Sequence, residues 1–102
     1  MATVPHGTVS FRATNGGSIN HEMVMLPLAA SQSVGARPTG TDAKVDESGS
    51  LGGASNGKRA GQGVEPGASS WITVTLTPGQ YELVCNLPNH YTAGMHTQLT
   101  VT

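Results

Sequence analysis

The sequence predicts an all-β fold in which short strands, joined by turns, form a sandwich. Glycine occurs 14 times in 102 residues and only 11% of the residues are charged, a composition typical of a small chain rich in turns. Several segments alternate apolar and polar residues with the period of half-buried strands, and none carries a useful apolar stripe at helical spacing. A chain of this length supports one core, so we expect a single domain over residues 1–102.

Two predicted strands lie in the first third of the chain. The segment TVSFRAT, residues 8–14, places Val9, Phe11 and Ala13 on one face and polar residues on the other. After the turn residues NGGSIN comes HEMVMLPL, residues 21–28, which is apolar on both faces. We expect this strand to end near its proline, because proline cannot donate a hydrogen bond to a strand ladder.

His21, Met23 and Met25 share one face only if this second segment is a strand. We interpret the two methionines as core residues, because methionine commonly fills gaps in apolar cores. A histidine at the mouth of a strand is open to several interpretations: a capping group, a surface residue or a metal ligand.

The middle of the chain, residues 29–70, is rich in glycine, alanine and serine and holds eight of the eleven charged residues. Such a long connection is unusual in a compact domain, where long loops are often functional or mobile. We expect a solvated insertion loop and assign it no internal structure.

The last third of the chain predicts three strands, WITVTLTPG (71–79), QYELVC (80–85) and MHTQLTVT (95–102). Their alternation and the Pro-Gly turn predict an antiparallel meander that closes the sandwich, with a loop over residues 86–94 before the last strand. The pattern places Cys85 inward at a strand end. We expect Trp71 in the core or on a sheet face.

The loop segment VCNLPNHYTAGMH, residues 84–96, collects Cys85, His90 and Met95. Cys85 is the only cysteine, so no disulfide forms within the chain. Because the loop joins neighbouring strands, it must fold back over the end of the sandwich, where His21 also enters. Two imidazoles, a thiolate and a thioether suit both Cu(I) and Cu(II). The next residue, a histidine, alternates away and is predicted to lie at the surface.

The stretch YELVCNLPNHYTAGM resembles the copper loop of the cupredoxins, the small blue copper proteins. Its C-x₄-H-x₄-M spacing is most similar to the auracyanin and sulfocyanin-like branch. NHEMVMLPL resembles the strand that brings the first histidine, and WITVTLTPGQY the lead-in to the cysteine strand, so the likeness covers residues 8–28 and 71–102. It implies a Greek-key β-sandwich with a long Gly/Ser-rich insertion loop. It also implies one copper ion per chain with four ligands: His21, Cys85, His90 and Met95.

Two positions depart from the family's pattern. Many cupredoxins have asparagine directly after the first histidine, where this chain has Glu22. Asn86 is a candidate replacement, because its side chain could tie the loop to the strand beside it. The usual glycine before the second histidine is Asn89, a residue that tolerates left-handed backbone.

The resemblance implies a one-electron carrier that cycles copper between Cu(I) and Cu(II), and not an enzyme. Glu82 is the only charged side chain in residues 66–102, so we expect redox partner proteins to dock through an uncharged patch near His90. Copper storage or delivery is an alternative. A hydrolase with Cys85 as nucleophile and His90 as base is a third, although Glu82, the nearest acid, alternates to the opposite face.

The remaining expectations concern partners and location. A net charge of −1 without a basic patch argues against nucleic-acid binding. The sequence has no apolar run of the roughly 20 residues that span a membrane, and MATVPHGTVS is not a secretory signal. Because cupredoxins of this kind usually work outside the cytoplasm, the resemblance implies a periplasmic or extracellular, cell-surface protein whose signal or anchor is absent from this sequence. We expect a monomer.

Overall fold

A computed structural model describes residues 2–54 and 64–102, which contain seven strands and no helix. The described residues therefore include no helix with the length and hydropathy of a membrane span. The strands form one five-stranded sheet, in the order β1-β7-β6-β3-β4, and one two-stranded sheet, β2-β5. The predicted all-β sandwich is confirmed. The strands are β1 (Ala2–Val4), β2 (Gly7–Thr14), β3 (Met23–Pro27), β4 (Gly52–Ala54), β5 (Ser69–Leu76), β6 (Gly79–Val84) and β7 (His96–Val101).

The two-stranded sheet follows the predicted alternation. Antiparallel pairing of β2 with β5 sets Phe11 opposite Ile72 on the inner side. On the outer side, hydroxyl groups form hydrogen bonds across the strands, such as Ser10 with Thr73 at 2.7 Å. Trp71 lies on this outer face and is 66% exposed, so it belongs to a sheet face and not to the core.

The predicted meander is wrong in its first half, because β5 and β6 belong to different sheets. The chain crosses between them at Thr77 and Pro78, where proline offers no N–H for a ladder. The Tyr81 hydroxyl donates to the Thr77 carbonyl at 2.9 Å and fixes this corner, as a tyrosine does in other sandwiches. The second half of the prediction holds, since β6 pairs antiparallel with β7, from Gly79 opposite Val101 to Val84 opposite His96.

Strand β3 of the five-stranded sheet is buried on both faces from Val24 to Leu26, which explains why the second predicted strand is apolar on both faces. The inner face of the sheet joins the sandwich core with Met25, Tyr81 and Leu99, among others. Its outer face carries a second cluster: Val24, Leu26, Val45, Val84 and Tyr91. Val45 comes from the insertion, so this segment packs onto the sheet instead of remaining wholly solvated.

The described part of the insertion therefore has structure that its composition did not predict. It includes β4, paired with β3, and an isolated bridge between Thr39 and Val45. Residues 55–63, with Lys58 and Arg59, lie outside the described residues, and the expectation of a solvated loop stays a prediction there.

Candidate metal centre

Three of the four predicted ligands meet at one end of the sandwich. One ring nitrogen of His21, one of His90 and the Cys85 Sγ lie within 4.8 Å of one another. The Sγ atom lies 3.2 Å from His90 Nδ1, and the two imidazole rings have centroids 5.1 Å apart. That these groups bind a metal stays a prediction, but the structure brings them together.

His21 is held in place by its backbone, which forms an isolated antiparallel bridge with Val64. Asn15 supports this arrangement from the turn before it. Its buried Nδ2 donates to the carbonyls of Val64 and Ile19, each at 2.7 Å. Sequence analysis missed Asn15. The signal was its place directly before two glycines, since asparagine commonly organises such turns through its side chain.

The His21 side chain carries an atom that hydrogen bonding within the described residues does not explain. Its Nδ1 is buried and has no hydrogen-bond partner among them. A buried polar atom without a partner is uncommon in folded proteins and calls for an explanation such as an ion. Nitrogen donors of this kind, beside a thiol, fit a transition-metal ion with imidazole and thiolate ligands.

Cys85 is 3% exposed and follows the last residue of β6. Its N–H donates to the Met95 carbonyl at 3.0 Å, which ties the two ends of the loop together. Its Sγ accepts a hydrogen bond from the backbone N–H of Glu22 at 3.2 Å. Because the donor is a backbone N–H, this contact needs no particular side chain at position 22.

The loop that carries His90 is a series of tight turns. Asn89 has φ of 68°, the left-handed conformation expected of an asparagine in place of the family's glycine. The His90 N–H donates to the Leu87 carbonyl at 3.0 Å, and the His90 carbonyl accepts from the Met95 N–H at 3.2 Å. These bonds fix the position of His90 within the loop.

Glu22 stands where many cupredoxins have asparagine, and both Glu22 and the candidate replacement Asn86 form hydrogen bonds at the loop. The Glu22 carboxylate accepts a hydrogen bond from the Asn86 backbone N–H, and burial, followed by repulsion from Glu47, raises the pKa of Glu22. The Asn86 side chain accepts from the Val45 N–H at 2.8 Å and donates to the Val45 carbonyl at 3.0 Å. Asn86 thus ties the loop to the insertion, and not to the neighbouring strand as the sequence suggested.

A buried ionic network adjoins this loop. Glu82 is fully buried, and its carboxylate accepts from the Arg37 Nε, the Gly35 N–H at 2.8 Å and the Tyr91 hydroxyl at 2.9 Å. Burial, the largest cause, raises the pKa of Tyr91. Sequence analysis missed this network. The sequence feature that could have revealed it is the charge of Glu82, since an acid inside an otherwise apolar strand needs a partner.

His96 is not the surface residue that the sequence predicted. Its ring lies 5.1 Å from the Tyr91 ring, and its Nδ1 is buried without a hydrogen-bond partner among the described residues. The alternation rule placed it correctly on the face opposite Met95. The rule did not predict the burial of His96, because the insertion covers that face, with Gly35 packed against the imidazole.

Met95 lies beside the cluster with its side chain 37% exposed. It lines a cavity of about 400 Å³ together with Cys85 and Met23. The axial-ligand role of Met95 stays a prediction. The two methionines interpreted as core residues differ: Met25 is fully buried in the core, whereas Met23 is half-buried at the cavity wall.

Comparison with known proteins assigns the chain to a protein family. The family model for the sulfocyanin (SoxE) domain matches residues 2–102. Reduced auracyanin from the photosynthetic bacterium Roseiflexus castenholzii is 25% identical with a TM-score of 0.71, over 98% of this chain and 82% of that one. Auracyanin B is 26% identical with a TM-score of 0.68, over 100% and 76% of the two chains. Rusticyanin from Thiobacillus ferrooxidans, at 23% identity and a TM-score of 0.60, shares the fold over 98% of this chain and 59% of its own.

Among curated proteins, the copper-resistant cuproprotein CopI of Pseudomonas aeruginosa is 54% identical over 39 residues, which span 37% of this chain and 22% of CopI. The chain thus matches about a fifth of the length of that relative. The family model, in contrast, covers nearly every residue, and the structural matches confirm the fold implied by the copper-loop resemblance. The protein belongs to the sulfocyanin (SoxE) family of the cupredoxins.

Proposed function

We propose that this protein is a one-electron carrier that binds one copper ion through four side chains: His21, Cys85, His90 and Met95. The observation that carries the proposal is the convergence of two imidazoles and the thiol within 4.8 Å. Two bonds of about 2.0–2.3 Å to a shared metal span at most about 4.6 Å, which is close to the observed spacing. Copper in such a ligand set supplies a centre that gains and loses a single electron.

The chain's own residues would hold this centre in one shape. Cys85 follows a paired strand, and its Sγ receives the Glu22 N–H. His90 is fixed by hydrogen bonds at both its N–H and its carbonyl. Side chains held this way move little when the charge at the centre changes, which favours rapid electron transfer.

We propose that redox partner proteins dock at the His90 loop. His90 is partly exposed, and the exposed residues beside it are uncharged: Pro88, Asn89, Thr92 and Ala93. Asn86 and Tyr91 are buried and do not contribute to this surface. The rate of electron exchange with a protein partner should fall far less than the roughly tenfold or more expected for electrostatically steered pairs when salt is raised. A steep fall would contradict this surface.

Three further expectations accompany this function. The chain acts as one domain over residues 1–102, as a monomer, and in the periplasm or at the outer surface of the cell. The sandwich core that the two sheets share in the described residues supports the first, and membership of the cupredoxins supports the last. Sedimentation of the copper-loaded protein and fractionation of cells that produce the full-length gene product test these expectations.

Copper storage or delivery is the second candidate. CopI, a copper-resistant cuproprotein, matches 39 residues of the chain, and a sulfur-lined cavity adjoins the cluster. A carrier exchanges electrons rapidly with itself and releases copper slowly to a chelator. A delivery protein would exchange electrons slowly with itself and release copper rapidly to a chelator.

The hydrolase alternative has weaker support. The Cys85–His90 contact of 3.2 Å would suit a nucleophile and its base. The three-residue cluster found among the described residues contains no carboxylate, and Glu82 is engaged with Arg37 and Tyr91. Thiol-dependent hydrolysis of an activated ester would support this alternative.

The deciding experiment adds Cu(II) to the purified apoprotein and records the visible spectrum. We expect an intense thiolate charge-transfer band, lost in Cys85→Ser and strongly altered in His21→Ala. His6→Ala is the matched control, because His6 is exposed and bonds only to the chain's last residue in the described contacts. A spectrum that Cys85→Ser leaves unchanged would refute the proposal.

A further inference from the structure

A solvent-open cavity of about 400 Å³ adjoins the cluster on the side of Cys85. Three of its lining residues carry sulfur: Met23, Cys85 and Met95. The cavity thus combines three soft donors in one accessible place.

Met23 reaches this cavity because of the strand register. Val24 pairs with Val84 between β3 and β6, so Met23 lies one position further, across from Cys85. Met23 is half-buried, whereas Met25, two residues along the same strand face, is fully buried in the sandwich core. Core packing accounts for Met25 but leaves the exposed part of Met23 unexplained.

The opposite side of Cys85 is covered in the described structure. Asn86 and Tyr91 are each 2% exposed there, and the insertion packs over them through Val45. Of these two sides of Cys85, the methionine side is the one that a cavity opens to solvent.

We propose that this sulfur-lined cavity is the docking site through which Cu(I) is loaded, with Met23 as a thioether ligand that is not part of the final centre. The inference rests on the proposed function, because it supplies the copper for that centre. Thioethers and thiolates are the protein ligands that favour Cu(I). No electron moves in this step: the Cys85 thiol releases its proton to solvent as sulfur binds the ion, and Cu(I) remains Cu(I).

The test measures Cu(I) loading directly. Anaerobic apoprotein is mixed with the Cu(I)–bicinchoninate complex, and loss of the complex's colour gives the loading rate. Met23→Leu keeps the side-chain volume and removes the sulfur, and we expect loading to slow by roughly tenfold, the lower end of the loss in metal affinity when a group that supports a metal site is removed. Met25→Leu, the same change two residues away, should load at the wild-type rate.

A second arm uses Cu(II), followed by growth of the visible band. Met23→Leu should take up Cu(II) at the wild-type rate, because a thioether has little preference for that ion. After oxidation of the Cu(I)-loaded chains, all three proteins should give the same spectrum. Met23→Val, which suits a strand, replaces the leucine variant if that variant does not fold.

Two results would overturn the inference: wild-type Cu(I) loading in the Met23 variants, or equal slowing in Met25→Leu. Both differ from failure of the proposed function, in which the wild-type protein itself forms no charge-transfer band with Cu(II).

Discussion

The two sides of Cys85 are built differently. On one side, Asn86 and Tyr91 are buried and hydrogen-bonded to the insertion or to Glu82. On the other side, Met23 and Met95 line a cavity open to solvent. Directional hydrogen bonds fix the loop of residues 86–94 on the closed side, while the open side leaves sulfur-bearing side chains accessible.

The closed side also gives the insertion a role. Arg37 forms an ion pair with Glu82, and Val45 bonds to both ends of the Asn86 amide. The composition of the insertion predicts a solvated linker, but this segment packs against the loop of residues 86–94. Changes on the closed side should therefore affect folding, and changes on the open side should affect the metal.

The largest expected effect comes from Arg37→Ala, which leaves the fully buried Glu82 carboxylate without its cation. Removing one partner of a buried pair costs about 3–5 kcal/mol, so the urea midpoint of the apoprotein should fall sharply. Arg12→Ala is the control: Arg12 is exposed on the outer sheet face, and such changes stay within about 0.5 kcal/mol. Equal losses in the two variants would show that the pair does not stabilise the closed side.

A smaller loss is expected for Asn86→Ala. The substitution strips the buried Val45 N–H and carbonyl of their partners, and an unsatisfied buried group costs about 1–3 kcal/mol. Urea unfolding measures the loss. The exposed Asn89 is unsuitable as a control because of its left-handed backbone, so Ser18→Ala, at an exposed bend, provides the comparison. An unchanged midpoint in Asn86→Ala would contradict the claim that this amide joins loop and insertion.

On the open side, Met95→Leu should change stability little, because Met–Leu exchange costs less than about 1.5 kcal/mol. The copper protein should keep its charge-transfer band and change its reduction potential, since the axial ligand tunes it. Voltammetry of the wild type and the variant measures this shift. An unchanged potential would remove Met95 from the ligand set.

The smallest effect concerns the insertion turn that presents Glu47 to Asn86. Hydrogen bonds from the Ser48 side chain and backbone lower the pKa of Asp46. A lowered carboxyl pKa contributes stability above the ordinary value of 3.8 that is lost as the pH falls through the folded-state value. In Ser48→Ala, an NMR titration should place the pKa of Asp46 closer to 3.8; a value as low as in the wild type would contradict the hydroxyl's role.

The sequence predicted the parts of the fold that depend on local pattern. Alternation identified β2, β5 and β7, and the spacing of Cys85 and His90 predicted a loop that folds back toward His21, as the structure shows. It could not predict that β5 and β6 separate into two sheets, because a Pro-Gly turn is compatible with a hairpin and with a corner. It also missed the Arg37–Glu82 pair, whose members are 45 positions apart and meet only once the insertion has folded.

The methionines show the same limit at the site. The alternation of the sequence places Met23 and Met25 on one face and predicts that both are core residues. Only the three-dimensional arrangement reveals that the core ends between them, so that Met25 is enclosed while Met23 lines the cavity beside Cys85.

Copper K-edge X-ray absorption of the Cu(I)-loaded and Cu(II)-loaded protein tests the central claim most directly. The account predicts two nitrogen neighbours and one short sulfur neighbour at about 2.0–2.3 Å, nearly unchanged between the two oxidation states, with the short sulfur lost in Cys85→Ser. A first shell of nitrogen and oxygen alone, or one that changes its ligands on reduction, would contradict it.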